Sequence, residues 1–262
     1  MIQHTFYGGH DIVIYPIADV HLGAAEQMEK EWMEFIDMIQ KTPNAYITLG
    51  GDLLNVGLRN SISNVYRERY MPSAAKRMMA QMLEPIKNRI LCGCRGNHEA
   101  RAVRDADIDL MYDIMVLLGI EHLYRENMCF VKIQMGIPEH ESGAKTSADK
   151  RPTYMLLVTH GAGGGGALTG GSVNRFERYA SICDGLDVLI AGHVHKPFTT
   201  QQSKIVIDPR NNRVSLKPFK VICATSWLEY SGYAMEKMLF PSSHCLQKLT
   251  LCGDHKEMLV TM

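Results

Sequence analysis

The stretch Ile12-Val13-Ile14-Tyr15-Pro16-Ile17-Ala18-Asp19-Val20-His21 decides how this chain is to be read. An unbroken apolar run stops abruptly at an Asp-x-His triplet. A run this short, rich in Ile, Val and Tyr, reads as a strand buried on both faces. The same habit recurs in AYITLG from residue 45, RILCGC from 89, YMLLVT from 154, LDVLIA from 186 and KVICAT from 220. Most end within two residues of Gly, Asp, His or Asn.

Helical patterns lie between several of these strands. Residues 25 to 41 put Met28, Trp32, Phe35, Ile36 and Ile39 on one stripe, and Pro43 stops the helix. Residues 107 to 118 offer Asp107 as a cap, stack Ile108, Met111, Met115 and Leu118, and close on Gly119. Ser172 is the expected cap of a third helix carrying Val173, Phe176, Ala180 and Cys183. Strands alternating with helices give an α/β layered fold. Residues 124 to 154 read as a hairpin with a long polar loop, and Phe219 to Met262 as strands with turns at Pro241 and Gly253.

The 262 residues carry 28 basic and 28 acidic side chains, so binding cannot rest on global positive charge. With 46% apolar and 21% charged residues, disorder and fibrous repeats are excluded. No Pro/Ser-rich or charge-block linker interrupts residues 1–262, so one domain is expected. No apolar run spans a bilayer, and MIQHTFYGGHD lacks the basic and apolar regions of a leader, so a cytoplasmic protein with no membrane partner is expected. The seven cysteines are odd in number, scattered and free of CxxC, which favours reduced thiols over disulfides or a structural zinc site. The seventeen methionines fall mostly at core spacings.

Five strand ends carry residues that suit a metal. They are Asp19 and His21, then Asp52, then Asn97 with His98, then His160, then His193 and His195. In α/β sheets, loops at the carboxyl edge converge on one crevice. Residues i and i+2 of an extended segment point the same way, which would aim Asp19 with His21, and His193 with His195, at one place. Carboxylates, imidazoles and an amide suit manganese, iron, zinc, cobalt or nickel better than calcium or magnesium. Glycines 51, 96 and 192 permit tight strand-to-loop turns. His4, His10, His122, His140, His244 and His255 have no role in this pattern.

The ordered series DxH, GD, GNHE, H and GHxH, from about residue 12 to 200, resembles the calcineurin-like metallophosphoesterase superfamily. That resemblance implies a four-layer α-β-β-α sandwich of two mixed sheets flanked by helices, with a binuclear metal centre at one edge. It implies one ion, most readily manganese, on Asp19, His21 and His195, and another on Asn97, His160 and His193, with Asp52 bridging. It further implies a hydrolase in which a metal-bridging hydroxide attacks phosphorus and His98 is the general acid.

RGNHEAR also resembles the RGNHE-x-R of phosphoprotein phosphatases, which would make Arg101 a phosphate ligand. Where that family has GDxVDRG, this chain reads GDLLNVG. Asn55 takes the place of the acid that would orient the catalytic His and stands as a candidate substrate contact, while Val56 takes the place of a phosphate-binding Arg. Arg101 is therefore either a phosphate ligand or a surface residue. Between Val56 and Leu91, seven basic residues face two acidic ones, with Tyr66 and Tyr70 among them. This is either a nucleic-acid track or a solvated helical face. GAGGGGALTGG from residue 161 is either a closing loop over substrate or a connector. SWLEYSGYAMEKMLFP at 226–241 resembles the tail of phosphoesterases from bacteriophages and mobile elements.

The expected activity is phosphodiester hydrolysis on a nucleic acid or nucleotide, as in a nuclease. The alternatives are a phosphomonoesterase or protein phosphatase, and an inactive scaffold with the same fold.

Overall fold

The computed structural model describes residues 1–58, 61, 65–136, 152–163, 168–236 and 238–262, with only the backbone of residue 233. The chain forms β1 (Ile2–Tyr7), β2 (Ile12–Ile17), α1 (Glu29–Lys41), β3 (Ala45–Leu49), α2 (Pro72–Leu83), β4 (Ile90–Cys94), α3 (Asn97–Ala106) and α4 (Leu110–Leu117). It continues with β5 (Tyr124–Arg125), β6 (Met128–Gly136), β7 (Thr153–Thr159), α5 (Gly170–Ile182), β8 (Val188–Ala191), β9 (Phe198–Asp208), β10 (Arg213–Cys223), α6 (Gly232–Glu236), β11 (Lys248–Leu251) and β12 (Met258–Thr261).

Two six-stranded mixed sheets result, one ordered β1-β6-β7-β8-β10-β9 and the other β12-β11-β2-β3-β4-β5. Strands β2, β3 and β4 are parallel neighbours in one sheet, and β7 and β8 are parallel neighbours in the other. Three of the five expected ligand-bearing strands therefore sit side by side in one sheet, and the other two side by side in the second. Their apolar runs are continuous because both faces are covered. Leu156, Val158, Val188, Ile190 and Ile222 join the large core between the sheets, whereas their neighbours Leu157, Leu189, Ala191, Val221 and Cys223 pack with Phe176 and Ala180 of α5. On the far side, Trp32, Phe35, Ile36 and Ile39 of α1 and Ala75, Met79 and Leu83 of α2 close the other sheet. The layers run helix, sheet, sheet, helix, as the motif resemblance implied.

Several local expectations are corrected. α1 starts at Glu29 rather than residue 25, with Met28 at its N-cap. Asp107 does not cap a helix start: it ends α3 in a left-handed conformation (φ 55°). Asp109 caps α4 instead, accepting from the Tyr112 amide at 3.0 Å, and Ile108 is left exposed. α5 begins at Gly170, so Ser172 lies buried inside it and is not its cap. Helices α2 and α3 were not anticipated, although Pro72 at the first turn and the Ala/Met-rich run after it favour a helix. β6 and β7 pair antiparallel from Met128↔Thr159 to Gln134↔Thr153, as expected of a hairpin, while the loop 137–151 lies outside the described residues. The tail is less strand-rich than expected: between β10 and β11 the only regular element among the described residues is the short α6.

Trp32 is fully buried, with its ring 5.0 Å from that of Trp227, whose amide donates to the Asp19 carbonyl at 3.0 Å. Trp32→Ala is expected to lower unfolding free energy by about 3–5 kcal/mol in denaturant titration, because the void would lie between α1 and a sheet whose packing already fixes both.

Candidate metal centre

The loops that follow the parallel strands stay hydrogen-bonded to one another. The Asp19 amide donates to Gly51 O at 3.1 Å, His21 N to Asp52 O at 3.0 Å, and Gly192 N to His160 O at 3.0 Å. These bonds carry the register of each sheet past its strand ends and bring the candidate residues together at one edge.

Asp19, His21 and His195 form one group. His195 Nε2 is 3.3 Å from Asp19 Oδ1 and 3.1 Å from His21 Nε2. Asp52, Asn97, His160 and His193 form the other. His160 Nε2 lies 3.2 Å from Asp52 Oδ2 and 2.9 Å from Asn97 Oδ1, and His193 Nδ1 is 2.7 Å from Asn97 Oδ1. Asp52 Oδ2 faces both groups, being also 4.0 Å from His21 Nε2. Its Oδ1 is engaged by the His98 amide at 2.8 Å, so a bridging role falls to Oδ2 alone.

Convergence does not arise from strand alternation, and the i, i+2 argument is corrected here. Asp19, His21, Asp52, His193 and His195 all have left-handed backbones, with φ between 51° and 73°. Each such residue costs of order 1–3 kcal/mol and persists only where the surroundings enforce it. Two glycines are required by close approach. A Cβ on Gly96 would sit 2.0 Å from Asp52 Oδ1, and one on Gly192 would sit 2.4 Å from the Ala18 Cβ and 2.8 Å from Asp19 Oδ2.

The residues present fit a pair of divalent cations. Asp19 Oδ1 and His21 Nδ1 are buried without a hydrogen-bond partner. Backbone carbonyls set the imidazole tautomers: His160 Nδ1–H donates to Gly50 O (2.9 Å) and His193 Nε2–H to Gly163 O (2.8 Å). The opposite nitrogens, His160 Nε2 and His193 Nδ1, then face each other at 3.2 Å, and a shared cation in place of a proton would satisfy both. The electrostatics agree. Burial opposes a charge on His160, yet Asp52, with Asp19 and Glu99 behind it, more than offsets this and holds the imidazole at about 10. Burial likewise opposes charge on His195, but the Asp19 carboxylate raises it. Burial works against Asp52 too, and the surrounding imidazoles nonetheless keep it well below the ordinary carboxylate range. The carboxylates demand positive charge, and protons take it up in the absence of metal.

His98 sits beside this set without joining the second group. Its Nδ1–H donates to the Asn55 carbonyl at 2.5 Å, and its Nε2 is 3.0 Å from Arg101 Nη2 and 3.8 Å from Asp52 Oδ2. Burial lowers its basicity, the Asp52 charge raises it, and the Arg101 charge lowers it again. Arg101 is a half-buried residue of α3 whose guanidinium reaches His98, not a residue of the open surface. Asn55 orients His98 through its backbone, while its side chain donates to Glu68 Oε1 at 2.5 Å.

Sequence reasoning assigned no role to Glu99. It is fully buried; Oε2 accepts from the amides of Asp52 (2.9 Å) and Gly96 (2.8 Å), and Oε1 from Leu54 (2.9 Å). Burial and the nearby Asp52 push it up to about 7, against the pull of the Leu54 and Gly96 amides. A Glu three residues after the N-cap of α3 is a capping-box pattern, and that signal was available at Gly96-x-x-Glu99.

The basic segment between Val56 and Leu91 is largely answered locally. Arg67 pairs with Glu26, and Arg69 with Glu29 and the carbonyls of Ala25 and Gln27. Lys76 pairs with Asp113, and Lys87 with Glu84, while Arg89 lies over the Tyr46 ring. Arg59 lies outside the described residues. The solvated-face reading is the one these contacts favour. In the glycine-rich loop, residues 164–167 lie outside the described residues, and Gly163 and Ala162 accept hydrogen bonds from His193 and Arg175.

No family model matches the sequence, and neither does any curated protein. Among solved structures, the calcineurin-like phosphoesterase YfkN from Bacillus subtilis is similar with a TM-score of 0.42 and 10% identity, over 96% of this chain and 90% of that one. The clustered Asp and His side chains are themselves consistent with a metallophosphoesterase-type centre.

Asp52→Asn is expected to reduce bound metal at both groups, read by elemental analysis after manganese loading and desalting; two ions per chain in the variant would refute the bridging role. Glu99→Gln puts an amide N–H against backbone N–H donors. It should cost about 1–3 kcal/mol of stability and lower metal content together.

Proposed function

We propose that this chain is a metal-dependent phosphoester hydrolase, and that its substrates are phosphodiesters of nucleic-acid or nucleotide type. The observation that carries the reading is the pair of ligand groups meeting at Asp52 Oδ2, with His98 and Arg101 at their rim. Asp19, His21 and His195 would hold one divalent ion and Asn97, His160 and His193 the other, with manganese our first choice. Such ions supply the positive charge that polarises a phosphoryl oxygen and acidifies a water.

The chain's own groups do the rest. Among the described residues, Arg101 is the one guanidinium in contact with His98, and it is positioned to take a phosphoryl oxygen. Doing so would withdraw it from His98 Nε2 and exchange a cationic neighbour for an anionic one, which favours a proton at that nitrogen. The Asn55 carbonyl holds Nδ1–H throughout, so Nε2 is the atom that would deliver the proton to the leaving oxygen. Asn55 would thus serve the substrate pocket by orienting His98 rather than by direct contact.

The diester preference rests on charge. The position where protein phosphatases of this type have a second phosphate-binding Arg is Val56, which is buried and apolar. With Arg101 as the single guanidinium there among the described residues, the pocket matches a monoanionic diester better than a dianionic monoester.

The deciding experiment compares bis-p-nitrophenyl phosphate with p-nitrophenyl phosphate under several divalent metals. Faster turnover of the diester supports the proposal. Preference for the monoester would make the chain a phosphomonoesterase, and no activity on either would make it a scaffold. His98→Ala should retain its metals but lose about 10²–10⁴-fold in kcat on alkyl esters, with a smaller loss on p-nitrophenyl esters whose leaving group needs no proton. Equal losses on both would remove His98 as the acid.

A further inference from the structure

The turn joining β11 to β12 carries a second group of metal-ligating side chains. β11 runs antiparallel to β2 with Leu251 opposite Ile12, so this turn lies at the amino end of β2. Asp19 follows the other end, about 20 Å away for a strand of this length. Cys252, His255 and Glu257 each offer a ligand atom there, all within 4.8 Å of one another.

The backbone of this turn is held from several sides. The hydroxyl of the fully buried Tyr154 lies 2.7 Å from Cys252 O, 2.9 Å from His255 O and 3.2 Å from the Glu257 amide, which donates to it. Cys252 N donates to Glu257 O at 3.1 Å, and Gly253 N to Asp11 Oδ1 at 2.9 Å. Cys252 itself is only 6% exposed, and among the described residues its Sγ makes no hydrogen bond. A buried polarizable donor is thus fixed in place, and His255 and Glu257 are exposed side chains that can close on it by rotation alone.

We propose that Cys252, His255 and Glu257 bind a single zinc-class divalent ion that closes the turn of the C-terminal hairpin. Thiolate, imidazole and carboxylate together suit zinc or cobalt and do not suit calcium or magnesium. Cys252 and His255 have two residues between them, the shorter spacing of paired cysteine ligands in zinc sites, and three protein ligands leave a fourth position for water. Asp254 Oδ1, 2.5 Å from His255 Nδ1, is the carboxylate that orients the ring, leaving Nε2 beside Glu257 Oε2 at 2.8 Å. Lys256 turns away to Asp187 at 3.0 Å, so no cation competes with the ion from within the turn. The absence of CxxC pairs concealed this group, because its ligands are of three different types.

The inference is independent of the central site, and so is its test. The fully reduced whole protein is titrated with Co²⁺ and followed in the near ultraviolet, where sulfur-to-cobalt charge transfer absorbs. The Asp, His and Asn groups around Asp52 contain no sulfur and are silent there. A band with the amplitude of one cobalt–thiolate bond per chain is expected, complete by three equivalents because the two groups around Asp52 can take up cobalt silently. Cys252→Ser should abolish it, His255→Ala should weaken cobalt affinity at least about tenfold, and Cys245→Ser should leave it intact. Should Cys252→Ser unfold, the exposed-residue variant His255→Ala decides alone. No band, or a band unchanged by His255→Ala or surviving in folded Cys252→Ser, overturns the proposal.

Discussion

One carboxylate oxygen, Asp52 Oδ2, stands between two groups of imidazoles, and the rest of the structure is organised to keep it there. Its partner oxygen is tied to the His98 amide, and the Asp52 amide is tied to Glu99. His21 donates its amide to the Asp52 carbonyl. Two other chain segments, the loop after β2 and the start of α3, therefore fix one acidic residue, and with the loop after β3 they follow three adjacent parallel strands. A buried carboxylate is costly unless it is paired. Here the pairing groups are imidazoles, so the site reaches its lowest energy with positive charge in it.

That arrangement carries a conformational cost. Five ligand candidates with left-handed backbones together represent several kcal/mol of local strain, on the order of 1–3 kcal/mol each. The offset is remote: a core shared by both sheets, closed by the Trp32, Phe35 and Trp227 rings on one side and by α5 on the other. Because packed sheets deform little, the loops at their edge inherit fixed positions. The same logic governs the turn at 252–257, where the single hydroxyl of Tyr154 organises several backbone groups beneath a surface cluster.

His98 and Arg101 show how one short helix start can serve two purposes. α3 begins at Asn97, so its first turn presents Asn97 to the second ligand group, His98 to the rim and Glu99 to the interior. Arg101 lies three residues after His98 on the same face and meets its ring. In a chain of zero net charge, these two cationic-capable side chains stand together at the rim of one crevice. The paired lysines and arginines of the 56–91 segment are answered locally instead.

How much was legible in the chain follows from the range of each interaction. Apolar runs ending in Asp, His, Gly or Asn are local, so the sequence by itself determined the buried strands, the layered α/β class and the order in which candidate ligands appear. Helix boundaries were less legible, since Asp107 and Asp109 are equally good caps on paper and only packing selects between them. Contacts such as His21 with His195 join residues 174 positions apart. No local pattern encodes which nitrogen faces inward, that the ligand backbones are left-handed, or that Asn55 uses its carbonyl rather than its side chain. The grouping of Cys252 with His255 and Glu257 above Tyr154 likewise exists only once β7 and β11 have been brought together. Those features were decided by tertiary structure, because they depend on where distant backbone segments are held relative to one another.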